Sequence, residues 1–218
     1  MKPFPFHGVN DNLRPHLQAI LDGNEYILPT ITCGYSPTIL DIGANVGAFT
    51  YWISQKLPGS FVYAYEPDAT NAEAFERNMT DAELPAANYR LFRGAVSDSS
   101  KETLDLFTSE VNTGMHSVYK SLTNTVAAAC VSVPNFHANR LPNCDIMKID
   151  TEGCEVEILK AYLKSHVFPS IICLEFHSRF HYYEIEQMLN DNYLPFSGHF
   201  SHPDIGTLTF VHNSLEIK

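Results

Sequence analysis

Four places in the sequence put an acid or a histidine where a short apolar run stops. Thr38-Ile39-Leu40-Asp41 continues into Ile42-Gly43-Ala44-Asn45-Val46-Gly47-Ala48-Phe49, and Phe61-Val62-Tyr63-Ala64-Tyr65 ends on Glu66-Pro67. Asp145-Ile146-Met147-Lys148-Ile149-Asp150 runs on through Thr151-Glu152-Gly153-Cys154-Glu155, and the run from Ser170 to Phe176 holds Glu175 and leads to His177. Apolar run, glycine turn, helical pattern, apolar run and acid is the layout of a nucleotide-binding half-site. Gly43 and Gly47 let a backbone turn tightly and approach a ligand, which a Cβ would hinder.

The glycine spacing narrows the ligand. Gly43-Ala44-Asn45-Val46-Gly47 lacks the third glycine of the dinucleotide fingerprint, and a pyrophosphate needs the anion site at the following helix N-terminus. S-adenosylmethionine carries a sulfonium, an ammonium and a carboxylate but no phosphate. Asp41 would suit its ammonium, directly or through water, and Glu66 would accept both ribose hydroxyls. Asp150 and Glu152 sit at a strand's carboxyl end, where open α/β sheets bind ligands. Glu155 falls on the apolar face of the next helix with Ile158, Leu159 and Tyr162, so it either caps that helix or belongs to the site.

Several elements must position these groups. Strands are expected at about 38–42, 61–65, 88–92, 145–150 and 170–176, and helices from Val46 to Leu57, from an Asp68 N-cap to about 81, from Gly153 to Lys164 and from Tyr183 to Asn190. This alternation predicts a mostly parallel sheet covered on both faces. Two late runs, 194–200 and 206–212, flank a turn at Pro203-Asp204-Ile205-Gly206 and should pair antiparallel. Residues 94–144 are long for a crossover and hold an expected strand at Thr103–Phe107, a polar loop Thr108–Ser117 and a run Ala127–Val133; they are expected to cover the site. Residues 1–35, with Pro3, Pro5, Pro15 and Pro29, read as a cap, with a short helix at Arg14–Leu21, on one domain spanning 1–218.

The totals exclude some classes. Net charge is −11, from 25 acids against 14 bases, which argues against a nucleic-acid backbone as partner. Five cysteines without a CxxC pair suggest neither a zinc site nor a disulfide framework, and so a reduced, cytoplasmic setting. Met1–Phe6 has no apolar h-region, and no run approaches the length of a membrane span.

Ile39–Gly47, Ala64-Tyr65-Glu66-Pro67, Gly94-Ala95-Val96-Ser97-Asp98 and Lys148–Glu155 together resemble the FkbM-type methyltransferases over about residues 38–176. The resemblance implies an α/β, Rossmann-like class I methyltransferase sheet of seven strands with the last antiparallel and helices on both faces. It also implies that Ala95, Val96 and Ser97 line an adenine pocket, alongside Asp41, Gly43, Ala44, Asn45, Gly47, Phe49, Glu66, Pro67 and Asp150 as cofactor residues. Family enzymes mostly methylate hydroxyls of sugars and natural products, so the expected acceptor is a small molecule or glycan. The sequence departs from the family at Asn139-Arg140-Leu141-Pro142 and in the first 35 residues.

An alcohol must lose its proton, so a base should lie near it. The candidates are Asp150, Glu152, His177 and His116, and Phe136, His137, Met115 and Tyr119 could shape the acceptor pocket. No metal is expected, although Glu175, His177 and His181, with Asp150 or Glu152, form an alternative divalent site. N-methyl transfer and an inactive cofactor-binding module are the rival readings. An NAD-dependent oxidoreductase is disfavoured by the missing glycine.

Overall fold

The centre of the molecule is a strand with no wet face: Ile39, Leu40 and Asp41 are wholly buried and Ile42 nearly so. In the computed structural model, which describes residues 2–30, 36–108, 116–119, 129–165 and 168–215, this strand stands mid-sheet. Cys33, Met115 and most of the expected 108–117 loop lie outside the described residues, as does the start of the 127–133 run.

In chain order the elements are α1 (Arg14–Leu21), β1 (Thr38–Ile42), α2 (Ala48–Lys56), β2 (Phe61–Glu66), α3 (Ala69–Asp81), β3 (Tyr89–Arg93), β4 (Ala95–Ser97) and β5 (Thr103–Thr108). They continue with β6 (Ala129–His137), β7 (Ile146–Ile149), α4 (Glu155–Leu163), β8 (Ile171–Phe176), α5 (Arg179–Leu189), β9 (Tyr193–His202) and β10 (Ile205–His212). The main sheet has seven strands in the order β3-β2-β1-β7-β8-β10-β9. Its first five strands are parallel, β10 runs antiparallel to β8, and β9 antiparallel to β10. The expected parallel sheet with a late antiparallel hairpin is therefore what forms.

Strand alternation sorts the core into two layers. Ile39, Val62, Ala64, Ile146 and Ile171 pack with residues of α1, α2 and α3 on one face. Leu40, Ile42, Met147, Ile149, Ile172 and Leu174 pack with α4 and α5 on the other. Between β1 and β7 the strand order reverses, and this switch point opens a crevice at the strands' carboxyl ends.

Three helix starts differ from the sequence expectation. Gly47 adopts φ 92°, so α2 begins at Ala48 rather than Val46. Glu152 (φ 56°) and Gly153 (φ 118°) hold a left-handed turn that delays α4 to Glu155. The last helix begins earlier than Tyr183, because Ser178 caps it by accepting from the His181 N–H. The long segment after β3 also builds a second sheet, β4-β6-β5, around a small core of Ala95, Leu106 and Val133. The three-residue β4 was not apparent in the sequence, since so short a run carries no period of its own.

The N-terminal segment is fastened to the glycine turn by Asn78. Its Nδ2 donates to the Val46 carbonyl (2.8 Å) and the His7 carbonyl (3.2 Å), and its Oδ1 accepts from the His7 N–H (2.7 Å). Asn78→Ala should lower the unfolding free energy by about 2 kcal/mol or more, since each buried polar group left unpaired costs roughly 1–3 kcal/mol. Urea unfolding measures the loss, and limited proteolysis should cut residues 2–9 sooner than in the unsubstituted chain.

Candidate active site

The site begins at the turn after β1. The Gly43 and Ala44 N–H groups donate to the Tyr65 carbonyl at 3.0 and 2.9 Å, which folds the turn over the end of β2. Asn45, at φ 49°, then points its N–H at Glu66 Oε2 (2.7 Å). Glu66 Oε1 accepts from the Asp68 N–H (2.9 Å) and from Asn71 Nδ2 (3.5 Å). The carboxyl group is buried but faces a cavity, and burial pushes its pKa up to about 7 against the pull of these donors. Each oxygen retains lone-pair capacity for a further donor.

Protein packing also requires the two glycines. A Cβ on Gly43 would sit 1.7 Å from the Asp150 carbonyl oxygen, so this glycine, at φ 79°, lets the turn lie against the end of β7. A Cβ on Gly47 would meet Met79 Cε at 2.7 Å and Phe75 Cδ2 at 2.8 Å, so Gly47 admits α3. Both positions make room for protein packing, and only Gly43 also lines the cavity.

Asp41 is turned away from the cavity. Alternation places it on the same face as Ile39, under α2, where its Oδ2 accepts from Thr50 Oγ (2.6 Å). Its Oδ1 lies 3.4 Å from Lys148 Nζ, and Asp41 and Lys148 are register partners on β1 and β7. The lysine is buried, donates to the Gly43 carbonyl at 2.6 Å and lies 3.4 Å from Asp150 Oδ2. Burial alone would lower its pKa, but the carboxylates of Asp150 and Asp41 outweigh that and hold the ammonium charged. Asp150 is in turn held well below the usual carboxylate range: burial opposes this, and Lys148 overcomes it, helped by a hydrogen bond from Glu175. The Tyr26 hydroxyl also donates to Asp150 Oδ2, at 3.3 Å.

Beyond Asp150 lies a second group of charges. His177 Nε2 is 3.1 Å from Glu152 Oε2 and 3.7 Å from Glu175 Oε2, and its Nδ1 is 3.4 Å from Glu155 Oε1. Burial would lower the imidazole pKa, but Glu152 and Glu155 push it up to about 12. Glu155 Oε1 accepts from the Thr151 N–H, the Thr151 hydroxyl and the Gly153 N–H at 3.0, 3.2 and 3.0 Å. It therefore closes the left-handed turn before α4 while also facing His177.

A cavity of about 240 Å³ joins these parts. Of the residues singled out as cofactor or catalytic groups, Ala44, Asn45, Phe49, Glu66 and Pro67 line it with Gly43. So do Ala95, Val96, His116, Asp150 and Glu152, together with Glu175. Asp41, Gly47, Ser97, His177 and His181 do not. Ser97 bonds Asn135 Oδ1 instead (2.9 Å), because it points from β4 into the small sheet. His181 stands in the first turn of α5, outside the acidic group. Of the expected acceptor-pocket residues, Phe136 packs against Tyr65 and Phe92, and neither it nor His137 reaches the cavity. Tyr119 bonds Glu157 beside a neighbouring cleft.

Some of the lining was not foreseen. Lys148 is not among the candidate site residues, although a lysine inside the run Ile146–Ile149 is itself a sign of a buried charge with a partner. Residues 94–144 are also not the whole cover. Leu106, His116 and Val118 do reach the cavity, but Asn12, Leu13, His16, Leu17 and Ile20 close it as well.

Known proteins resemble this chain in sequence and in fold. The model of the methyltransferase FkbM domain matches residues 41–200. The chain belongs to this family. A curated relative, Methyltransferase 1 of Beauveria bassiana (strain ARSEF 2860), is 25% identical in an alignment of 150 positions that covers 59% of this chain and 59% of that one. Methyltransferase sdnD of Sordaria araneosa is 24% identical over 60% of this chain and 62% of its own. This chain thus spans about three-fifths of the curated relatives it matches. Among solved structures, an FkbM methyltransferase from Methylobacillus flagellatus KT superposes with a TM-score of 0.56 at 16% identity, over 94% of this chain and 56% of that one. Magnesium protoporphyrin IX methyltransferase from Synechocystis PCC 6803, with bound SAH, gives 0.53 at 10% identity over 94% and 89%. The family's fold is the class I methyltransferase sheet described above.

Lys148→Met should cost about 3–5 kcal/mol, because it strands the buried carboxylates of Asp41 and Asp150. Denaturant unfolding of the variant measures it, and an unchanged midpoint would show that Lys148 does not hold the two strands' charges.

Proposed function

We propose that this chain transfers a methyl group from S-adenosylmethionine to a hydroxyl of a small molecule or sugar. The carrying observation is one cavity with Glu66 at one end and Asp150, Glu152 and Glu175 at the other, joined by the Gly43 turn. The family and the relatives named as methyltransferases support the reaction class. Free cysteines at 130, 144, 154 and 173 suit a cytoplasmic setting, and no described helix is long and apolar enough to cross a membrane.

The residues fit that cofactor. Glu66 keeps acceptor capacity for two ribose hydroxyls, and Ala95 and Val96 give the adenine an apolar wall. When bound, S-adenosylmethionine supplies a methyl group made electrophilic by its sulfonium. The rest falls to the protein: it holds the acceptor at the acidic end, excludes water and takes a proton.

Glu152 is the member placed for that proton. It lines the cavity, and burial raises its pKa against the opposing pull of His177. Asp150 is too weak a base, held down by Lys148, and His177 is already protonated at neutral pH. His177, one of the four candidate bases, is thus a positioning residue for Glu152. His116 lies 3.5 Å from Asp68, at the Glu66 end. The surplus of carboxylates would also draw an amine acceptor, so N-methyl transfer is the second reading.

Two measurements test this. Affinity for S-adenosylhomocysteine should rise through pH 7 as Glu66 ionises and becomes a full acceptor. By calorimetry, Glu66→Gln should flatten that rise and weaken binding about tenfold or more, as expected for a hydrogen bond to a charged group. With an acceptor in hand, Glu152→Gln should lower kcat by about 10²–10⁴-fold and leave S-adenosylhomocysteine binding unchanged. Full turnover in that variant would remove Glu152 from the mechanism.

A further inference from the structure

Asp150, Glu152, Glu175 and His177 each bring one ligand-type atom to a common place, all within 4.8 Å of one another. Two of these residues come from the end of β7 and two from the end of β8, paired neighbours in the sheet. The strand spacing therefore fixes the gap between them.

The charges do not balance. Even with Glu175 protonated toward Asp150, the carboxylates of Asp150, Glu152 and Glu155 face, among the described residues, the ammonium of Lys148, which is shared with Asp41, and the imidazole of His177. A second feature points inward. The His177 side chain is 9% exposed and aims Nε2 at the Glu152 and Glu175 carboxylates. Behind it, His177 Nδ1 and Glu155 Oε2 are both buried without a hydrogen-bond partner. A carboxylate behind the far nitrogen of an imidazole is the arrangement that fixes the tautomer and direction of a metal-ligating histidine.

We propose that this cluster binds one divalent cation, with Asp150, Glu152 and Glu175 as oxygen ligands, His177 Nε2 as nitrogen ligand and Glu155 supporting the imidazole. Three carboxylates and one imidazole without thiolate suit Mn²⁺ or Mg²⁺. Binding replaces the proton on Nε2 and the one Glu175 shares with Asp150, both of which leave to solvent, and the N–H on Nδ1 then faces Glu155. The site goes beyond methyl transfer and rests on that reading only for its use: an ion here would orient an acceptor hydroxyl and make its proton easier to remove, and Glu152, ligating through one oxygen, would keep the other for that proton.

The test needs neither cofactor nor acceptor. Mn²⁺ is titrated into the full chain and free ion is followed by electron paramagnetic resonance. One ion per chain is expected, displaceable by Mg²⁺, with a nitrogen coupling from the imidazole in the pulsed spectrum. Glu175→Gln should weaken binding at least about tenfold, and His177→Gln should abolish the nitrogen coupling, both with melting curves that show a folded chain. No bound Mn²⁺, bound Mn²⁺ without nitrogen coupling in the unsubstituted chain, or unchanged binding in Glu175→Gln each overturns the proposal. The unsubstituted spectrum decides even if a variant fails to fold. Calorimetry with S-adenosylhomocysteine on the same preparation reports separately on the cofactor reading.

Discussion

A buried ammonium holds this molecule's centre together. Lys148 Nζ stands between Asp41 on β1 and Asp150 at the end of β7 and donates to the Gly43 carbonyl. Taking three charges out of water is costly, and the geometry offsets that cost only because the groups are arranged around one cation with further donors from Thr50 and Tyr26. The glycine turn, the two central strands and the first residue of the acidic end therefore share one electrostatic support. A disturbance at any of them is felt by the others.

That support explains why the turn is built as it is. Gly43 has no side chain because the Asp150 carbonyl occupies the place a Cβ would take. The turn can then lie over the carboxyl ends of β1 and β7 and hand its next N–H, from Asn45, to Glu66. Glu66 and Asp150 thus face one cavity from two neighbours of β1. The acids differ because their surroundings differ. Glu66 is desolvated among neutral donors and titrates near neutrality, whereas Asp150 is paired with a cation and stays ionised.

The charges beyond Asp150 follow from the same strand ends. Glu152 adopts a left-handed backbone conformation, which is costly for a residue with a Cβ, and Glu155 holds that turn closed with three hydrogen bonds. Strain and its restraint stand together at the mouth of the cavity. His177, reaching over from β8, locks Glu152 and Glu155 into one charged unit.

The sequence by itself determined the sheet, the order of its elements and most of the cavity's floor. Period-two and helical patterns are local, and Glu66, Asp150 and Glu152 follow apolar runs whose strand ends are readable from the chain alone. Family motifs added Ala95 and Val96. What the tertiary structure decided was which way the side chains face and what lies across from them. Asp41 turned from the cavity because strand parity put it under α2, and Gly47 proved to serve α3. The small sheet, the closure by α1 and the meeting of Glu175 and His177 with Asp150 all depend on residues far apart in sequence. No local pattern reports such distances, since they arise only when strands pair and the two faces of the sheet are filled.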